Sequence, residues 1–168
     1  MFSVAALAEV KLEGGVARAT SNYTAPYTAD KAFIPGHANC WYNSDGEGKN
    51  FPQVIWYEFP EAKRFVPGRV SFRGRQRGCE DCFQSETPTM WQFIGSNDET
   101  CDRFSRWTVL CQDLSDRGYP NNKRVKYCNV DDKITSEFRC LGITILNNLN
   151  ISGEASLKDV RMWKKTYQ

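Results

Sequence analysis

The chain has 168 residues, of which 40% are hydrophobic and 13% are aromatic, which is enough apolar surface to build the core of one domain. This composition excludes a chain that is disordered throughout. Lysine and arginine number 22 against 20 acidic residues, and the resulting net charge of +2 lacks the basic excess that nucleic-acid binding requires. No run reaches the ~18 apolar residues of a membrane span, so we expect no transmembrane helix.

Strand-like segments recur along the chain. They are rich in valine, isoleucine and aromatic residues, and polar, glycine or proline positions separate them, as in a sandwich or barrel. A single helical pattern, Ala29–Phe33, is stopped by Pro35. The sequence therefore predicts an all-β fold, with strands at Val54–Phe59, Arg69–Arg73, Met90–Gly95, Trp107–Gln112, Val125–Val130, Phe138–Leu146 and Ser156–Trp163.

Strict alternation along the last predicted strand fixes which residues share a face. It places Leu157 with Asp159 and Arg161, opposite Val160 and Met162. One of these faces is expected to point into the core and the other into water.

Seven cysteines in a chain of this length indicate structural disulfides and secretion. Because the number is odd, one cysteine is left over, and we expect it to be Cys40. Bridging across local turns is the simplest connectivity, so Cys101 is expected to pair with Cys111 and Cys128 with Cys140. No second Cys-x-x-Cys is present to support a zinc site at Cys79 and Cys82. A disulfide between these two cysteines would close a tight loop.

Two Asn-x-Ser/Thr sequons, at Asn22 and Asn150, are compatible with secretion and are candidate glycosylation sites. The polar stretch Gly95–Asp98 is expected to form a structural turn, in which short side chains cap the backbone. The charged residues in and beside the turn Gly118–Asn122 are expected to form a solvated surface; they are Asp113, Asp116, Arg117, Lys123, Arg124 and Lys126.

Eight motifs follow one another in a characteristic order: Ala19–Tyr23, Ala29–Phe33, Trp41, Pro52–Phe59, Val70–Arg75, Trp91–Asp98, Trp107–Leu110 and Leu157–Trp163. Their order and residue types resemble the discoidin domain, also called the coagulation factor V/VIII C-type domain. The resemblance implies an eight-stranded antiparallel jelly-roll sandwich of the galactose-binding-like superfamily. We expect it to span residues 16–168, after an extension of residues 1–15, with the ligand loops at one end.

Some members of this family bind calcium beside an aspartate that follows the Ala-Phe turn. Ile34 occupies that position here, and an apolar side chain cannot supply the oxygen ligand that Ca²⁺ favours. Asp159 and backbone carbonyls remain as oxygen donors. We therefore expect no cofactor and no metal site.

The loop that contains His37 combines two aromatic rings, an imidazole and two amides, a mixture that stacks on sugar rings and hydrogen-bonds their hydroxyls. The alternative places Trp41 in the core and His37 on an exposed loop. A loop near residues 147–153 would contribute Asn148. The ligand candidates of these two loops are His37, Asn39, Trp41, Tyr42, Asn43 and Asn148.

Three arginines, Arg73, Arg75 and Arg77, leave a predicted strand at alternating positions. Their guanidinium groups could clamp an anionic ligand, and Arg75 matches an arginine that often contacts sugar in the discoidin family. The alternative is a solvated charged turn. Phe83 is a candidate for insertion into an anionic membrane beneath a collar formed by Arg75 and Arg77.

No catalytic set is recognisable, because His37 is the single histidine and no Gly-x-Ser-x-Gly motif is present. We therefore expect a secreted, non-enzymatic module that recognises glycans or glycoproteins of the cell surface or matrix. The alternatives are an adhesion module that binds a protein partner and a module that binds anionic phospholipid. Oligomeric state does not follow from the sequence.

Overall fold

The computed structural model describes residues 6–22, 24–36, 39–43, 51–74, 87–117, 125–148 and 155–167. They form ten strands and one 3₁₀ helix, Ala29–Phe33. The strands are β1 (Ala6–Glu9), β2 (Val16–Ala19), β3 (Trp41–Tyr42), β4 (Gln53–Glu58), β5 (Pro67–Arg73), β6 (Pro88–Ser96), β7 (Thr108–Asp113), β8 (Val125–Asn129), β9 (Cys140–Asn148) and β10 (Ser156–Thr166). The all-β prediction is confirmed, and each of the seven predicted strands is present.

Two antiparallel sheets form a sandwich. The first sheet has the order β1-β10-β5-β8, with β3 also paired to β10, and the second has the order β2-β4-β9-β6-β7. The described strands outnumber the eight that the resemblance implies. The reason lies in β10, which is long enough for its edge to pair with β3 near its start and with β1 near its end.

The region predicted as an N-terminal extension contributes strand β1 to the first sheet, where Ala6 pairs with Thr166 and Glu9 with Trp163. Gly68 permits this close packing, because a Cβ at that position would lie 2.3 Å from Cδ2 of Leu7. Residues 6–9 are therefore an edge strand of the sandwich. The boundary at residue 16 stays a prediction.

The core lies between the sheets and is aromatic at its centre. Trp41, Trp91 and Phe72 are completely buried, and the rings of Phe72 and Trp91 meet edge to face with centroids 4.7 Å apart. Edge-to-face contacts of this kind add to the stabilisation that apolar burial supplies.

A β-bulge in β10 overturns the alternation predicted for its side chains. The pairing with β5 shifts between Lys158 and Arg161, and Asp159 adopts a φ of +49°. Because the bulge inserts one extra residue, Leu157, Val160 and Met162 all point into the core and are completely buried. The prediction that Leu157 faces opposite to Val160 and Met162 is therefore wrong.

Two disulfides connect the described residues, and the predicted pairing is wrong: Cys101 bonds to Cys140 and Cys111 to Cys128. Local hairpins do not bring the cysteines together. Cys101 lies in the connection after β6, which folds over the outer face of the second sheet and reaches the start of β9. Cys40 is buried and belongs to neither of these disulfides; that it is the leftover thiol stays a prediction.

The Cys111–Cys128 bridge joins two different sheets, because Cys111 lies on β7 and Cys128 on β8. Each of these strands is the last in its sheet. The bridge therefore closes one side of the sandwich. Cys79 and Cys82 lie outside the described residues.

The predicted turn at Gly95–Asp98 is confirmed as a structural feature, although its first two residues end β6. The Asn97 side chain donates to the carbonyl of Glu137 at 2.7 Å and accepts from the backbone N–H of Arg139 at 3.0 Å. Asn97 thereby fastens the end of β6 to the segment that leads into β9.

Candidate functional site

One end of the sandwich gathers the described residues that border four intervening segments, 44–50, 75–86, 118–124 and 149–154. Strand pairing shows this directly. Arg73 at the end of β5 pairs with Val125 at the start of β8, and Asn148 at the end of β9 pairs with Pro88 at the start of β6. We call this edge the loop end; its bordering residues are Asn43, Phe51, Gly74, Thr87, Arg117, Val125, Asn148 and Ala155.

Two hydrogen bonds between Asn43 and Ala155 join the borders of segments 44–50 and 149–154. The Asn43 side-chain carbonyl accepts from the N–H of Ala155 at 2.9 Å, and the Asn43 N–H donates to the carbonyl of Ala155 at 3.1 Å. Both residues are completely buried. Asn43 therefore holds β3 against the start of β10, a structural task that the sequence did not indicate.

Gly74 and Thr87 meet at the two borders of segment 75–86. A Cβ on Gly74 would lie 2.2 Å from Oγ1 of Thr87, so the strand can end here only with glycine unless Thr87 moves. The two borders therefore lie directly against each other, which the missing side chain of Gly74 permits.

Asp116 ties the end of the β7 segment to two other strands. Its Oδ1 accepts from the Thr89 hydroxyl at 2.6 Å and from the Asn147 amide at 3.2 Å, and the residue itself has a φ of +53°. Aspartate tolerates this left-handed conformation better than most residues. The predicted solvated surface is therefore partly a structural anchor.

The prediction that Lys126 belongs to the solvated surface is wrong, because its side chain is buried beside Asp113, with Nζ and Oδ2 3.9 Å apart. Its ammonium donates to the carbonyl of Arg117 at 3.0 Å. Burial lowers the pKa of Lys126, although the charge of Asp113 opposes this effect.

Burial acts on the pKa of Asp113 in the opposite direction and raises it. Hydrogen bonds from the hydroxyl and N–H of Ser115, together with the charges of Lys126 and Arg117, outweigh this effect. The pKa of Asp113 consequently lies below its ordinary value. Asp113 and Lys126 therefore form an ion pair close to the loop end.

The ligand candidates on and near β3 occupy interior positions. Trp41 is completely buried and its indole N–H donates to the carbonyl of Ser21 at 2.9 Å, which confirms the alternative that places it in the core. Tyr42 and Asn148 are buried as well, and Asn39 is half-buried. A ring in the position of Trp41 offers no face on which a sugar could stack.

The remaining candidates stay predictions. Four of them, His37, Arg75, Arg77 and Phe83, lie outside the described residues. Arg73 is described and half-exposed, and its Nε lies 3.9 Å from Oδ2 of Asp159.

The same Asp159 was the remaining carboxylate considered for calcium. Its Oδ1 accepts from the N–H of Gly36 at 2.6 Å, while its Oδ2 faces the Arg73 guanidinium. Both oxygens already interact with donors of this chain. Within the described parts of the chain, no group of three or more His, Cys, Asp or Glu residues is placed to hold a metal ion.

A groove beside the loop end presents chemistry that the sequence did not reveal. It has a volume of about 510 Å³ and is lined by Thr20, Ser21, Phe51, Gln53, Arg103 and Phe104, among others. Phe104 is 79% exposed, with the Arg103 guanidinium 4.5 Å from its ring centroid. An exposed ring beside hydroxyl and amide groups suits a sugar. The distant connection that brings Phe104 here left no signal in the local sequence.

Asn22, one of the two sequon asparagines, lies on the exposed surface. The other, Asn150, lies outside the described residues. Among the helices of the described chain, none has the length and apolar character needed to cross a membrane.

Neither a family model nor a curated protein matches the sequence. Solved structures do match in fold. The family 32 carbohydrate-binding module (CBM) of NanJ from C. perfringens, solved in complex with galactose, has 16% identity and a TM-score of 0.68, over 95% of this chain and 100% of that one.

Two further modules of Clostridium perfringens are similar. One is a CBM32 solved with GalNAc-β-1,3-galactose, at 13% identity and a TM-score of 0.69, over 92% of this chain and 99% of the other. The second is CBM32-3 from a family 31 glycoside hydrolase, at 15% identity and a TM-score of 0.72, over 94% of this chain and 95% of the other. The likeness shows that this chain has the galactose-binding-like β-sandwich fold predicted from its motifs.

Proposed function

We propose that the chain is a secreted, non-enzymatic module that binds glycans at its loop end. The observation that carries the proposal is the fold, since modules with the same sandwich over nearly their whole length were solved with galactose and with GalNAc-β-1,3-galactose. A shared fold alone does not assign a ligand. The geometry of the loop end supplies the second support.

The loop end is built as a rigid base for ligand-binding segments. Asn43 and Asp116 fasten its borders by hydrogen bonds, and Gly74 lies directly against Thr87. Binding residues are commonly placed on loops that a rigid scaffold positions, because little ordering entropy is then lost on binding. Arg75, which directly follows Gly74, is the residue we expect to donate a forked hydrogen bond to the sugar.

The groove of Phe104 and Arg103 extends this proposed site. Its exposed ring can cover the apolar face of a sugar. The hydroxyls of Thr20 and Ser21 donate to the side-chain Oε1 of Gln53 at 2.7 and 2.9 Å and form the polar wall of the groove. In this proposal a second sugar ring of a longer glycan occupies the groove.

Secretion is part of the proposal. Two disulfides between residues distant in sequence support an oxidising compartment, and the exposed Asn22 is accessible to glycosylation. We further propose that the module performs no catalysis itself, because its single histidine has no recognisable catalytic partner in the sequence.

A glycan array tests this proposal. We expect saturable binding to a limited set of neutral, galactose-type glycans. Arg75→Lys should weaken it by ~1 kcal/mol or more, because lysine keeps the charge and loses the planar fork. Lys133→Ala, an exposed change at the opposite end of the sandwich, is the control that should bind like the parent.

Two other assays separate the alternatives. Sedimentation with phosphatidylserine vesicles tests the phospholipid function, for which Phe83→Ala should abolish binding. A pull-down against extracellular matrix extract tests the adhesion function. Binding in either assay combined with a blank glycan array would contradict the proposal.

A further inference from the structure

The two disulfides of the described residues differ in their access to solvent. Cys101 and Cys140 keep 1% and 0% of their exposure and lie in an apolar cluster on the outer face of the second sheet. Cys111 and Cys128 are only half-buried. Thiol–disulfide exchange requires that a thiolate reaches one of the two sulfur atoms, so access decides which bridge reacts first. A reductant can therefore approach Cys111–Cys128 in the folded protein, whereas Cys101–Cys140 is shielded.

The accessible bridge lies in the seam between the two sheets, that is, the line along which β7 faces β8. On the side of the loop end, Asp113 and Lys126 are each two residues from a bridged cysteine and share its face of the strand, with Nζ and Oδ2 3.9 Å apart. On the other side, the N–H of Asp131 donates to the carbonyl of Leu110 at 3.4 Å. The disulfide thus has a noncovalent contact on each side.

Those neighbouring contacts are weak compared with the covalent bond. The attraction between Asp113 and Lys126 is offset by the cost of burying the lysine charge. The hydrogen bond donated by Asp131 is long for an N–H···O bond. Within each sheet, by contrast, β7 remains paired with β6 and β8 with β5 along their lengths. Loss of the disulfide should therefore let the seam open while both sheets persist.

Opening of the seam acts on one part of the loop end. The two bridged cysteines are 17 residues apart in sequence, and the chain between them contains segment 118–124 with both of its borders, Arg117 and Val125. The ammonium of Lys126, next to one border, donates to the carbonyl of Arg117 at the other. A bridge that closes such a loop restricts the conformations of the chain within it. Reduction therefore removes a restraint on both borders.

We propose that a dithiol reductant opens Cys111–Cys128 in the folded protein, and that this bridge is a redox control on the loop end. One thiolate of the dithiol attacks a sulfur of the bridge, forms a mixed disulfide with it and displaces the other cysteine as a thiolate. The second thiol of the reductant, as a thiolate, attacks the mixed disulfide and releases the remaining cysteine. Two electrons pass to the protein, and its two cysteine thiolates take up the two protons that the dithiol has lost. The reductant leaves as a cyclic disulfide.

The reduction step follows from the access of the bridge and does not depend on ligand binding. The effect of that step on ligand affinity rests on glycan binding at the loop end, the function proposed above. We expect the oxidised form to bind more tightly than the reduced form. The borders of segment 118–124 are then fixed before binding, so less conformational entropy is lost when the ligand binds.

Differential alkylation tests the reduction step. The folded parent is titrated with dithiothreitol, free thiols are blocked with iodoacetamide, and the remaining cysteines are labelled with heavy iodoacetamide after unfolding and full reduction. Peptide mass spectrometry then gives the state of each cysteine separately. We expect Cys111 and Cys128 to react together at a dithiothreitol concentration about tenfold below that needed for Cys101 and Cys140. The far-ultraviolet dichroism spectrum at the lower concentration should still be that of the untreated parent.

A double variant, Cys111→Ser with Cys128→Ser, tests the opening of the seam. Amide hydrogen exchange should be faster than in the parent, by roughly threefold or more, in peptides from β7, from β8 and around Arg117, and unchanged in peptides from β4. The selectively reduced parent should show the same pattern. The matched control, Cys101→Ser with Cys140→Ser, should instead exchange faster in the connection after β6.

Three results would overturn the proposal: reduction of both bridges at the same dithiothreitol concentration, loss of the dichroism spectrum as Cys111 and Cys128 react, or exchange in β8 of the double variant that matches the parent. None of these measurements uses a glycan, so a blank glycan array would contradict only the function proposed above. With a glycan that the array selects, the double variant should bind more weakly than the parent, and equal affinity would refute control of the loop end.

Discussion

Replacement of Asp159 tests the structural reasoning most sharply. This residue has a left-handed backbone conformation, and its side chain accepts a hydrogen bond from Gly36, shortly after the 3₁₀ helix. Its φ is +49°, and its carboxylate accepts from the N–H of Gly36 at 2.6 Å. Loss of that partly exposed hydrogen bond costs ~1 kcal/mol, and an alanine forced into this conformation costs a further ~1 to 2 kcal/mol. Asp159→Ala should therefore lower the free energy of unfolding by ~2 to 3 kcal/mol.

Two matched variants separate these contributions. Asp159→Gly removes the acceptor but accepts the backbone conformation, so it should cost only ~1 kcal/mol. Asp159→Asn keeps an acceptor and tolerates the conformation, and it should cost less than either. Equilibrium urea denaturation gives all three values. If alanine were no worse than glycine, the bulge would not require a left-handed residue at this position, and the reasoning would be refuted.

Four further outcomes are expected. Replacing both Cys101 and Cys140 by serine, which opens a bridge between residues 39 apart in sequence, should cost ~4 kcal/mol in urea denaturation, and non-reducing peptide mapping should show this pairing directly. Trp41→Ala should cost ~3 to 5 kcal/mol, whereas an unchanged melting temperature would contradict its core position. Because the folded pKa of Asp113 is lowered, its carboxylate stabilises the fold above the ordinary value of 3.8 and loses this effect as pH falls through the folded pKa; Asp113→Asn should show a shallower loss of stability on acidification. Addition of CaCl₂ or EDTA should leave the melting temperature unchanged, and a calcium-dependent rise would show a site that the described carboxylates do not suggest.

The fold was largely predictable because the strands of the sandwich carry strong local signals. Pro67–Arg73 and Pro88–Ser96 alternate or cluster apolar residues between polar borders, and such patterns predict strands wherever they occur. β3 escaped prediction because Trp41–Tyr42 is too short to display a period.

The features that sequence reasoning missed depend on distant contacts. The pairing of Cys101 with Cys140 arises because one connection folds across the second sheet, which no local turn signal records. The bulge at Asp159 likewise breaks the alternation of inward and outward side chains that the sequence of β10 predicts. At the loop end, the task of Asn43 is visible only once Ala155 lies beside it.

A nuclear magnetic resonance titration of the folded protein with disaccharides that contain β-linked galactose tests the central claim most directly. Glycan binding at the loop end predicts saturable shifts of the amide signals of Gly74, Thr87 and Phe104. The signals of Tyr127 and Trp163, on the outer face of the first sheet, should stay in place. Saturable shifts confined to that outer face, or no saturable shift with any neutral glycan that the array selects, would contradict the account.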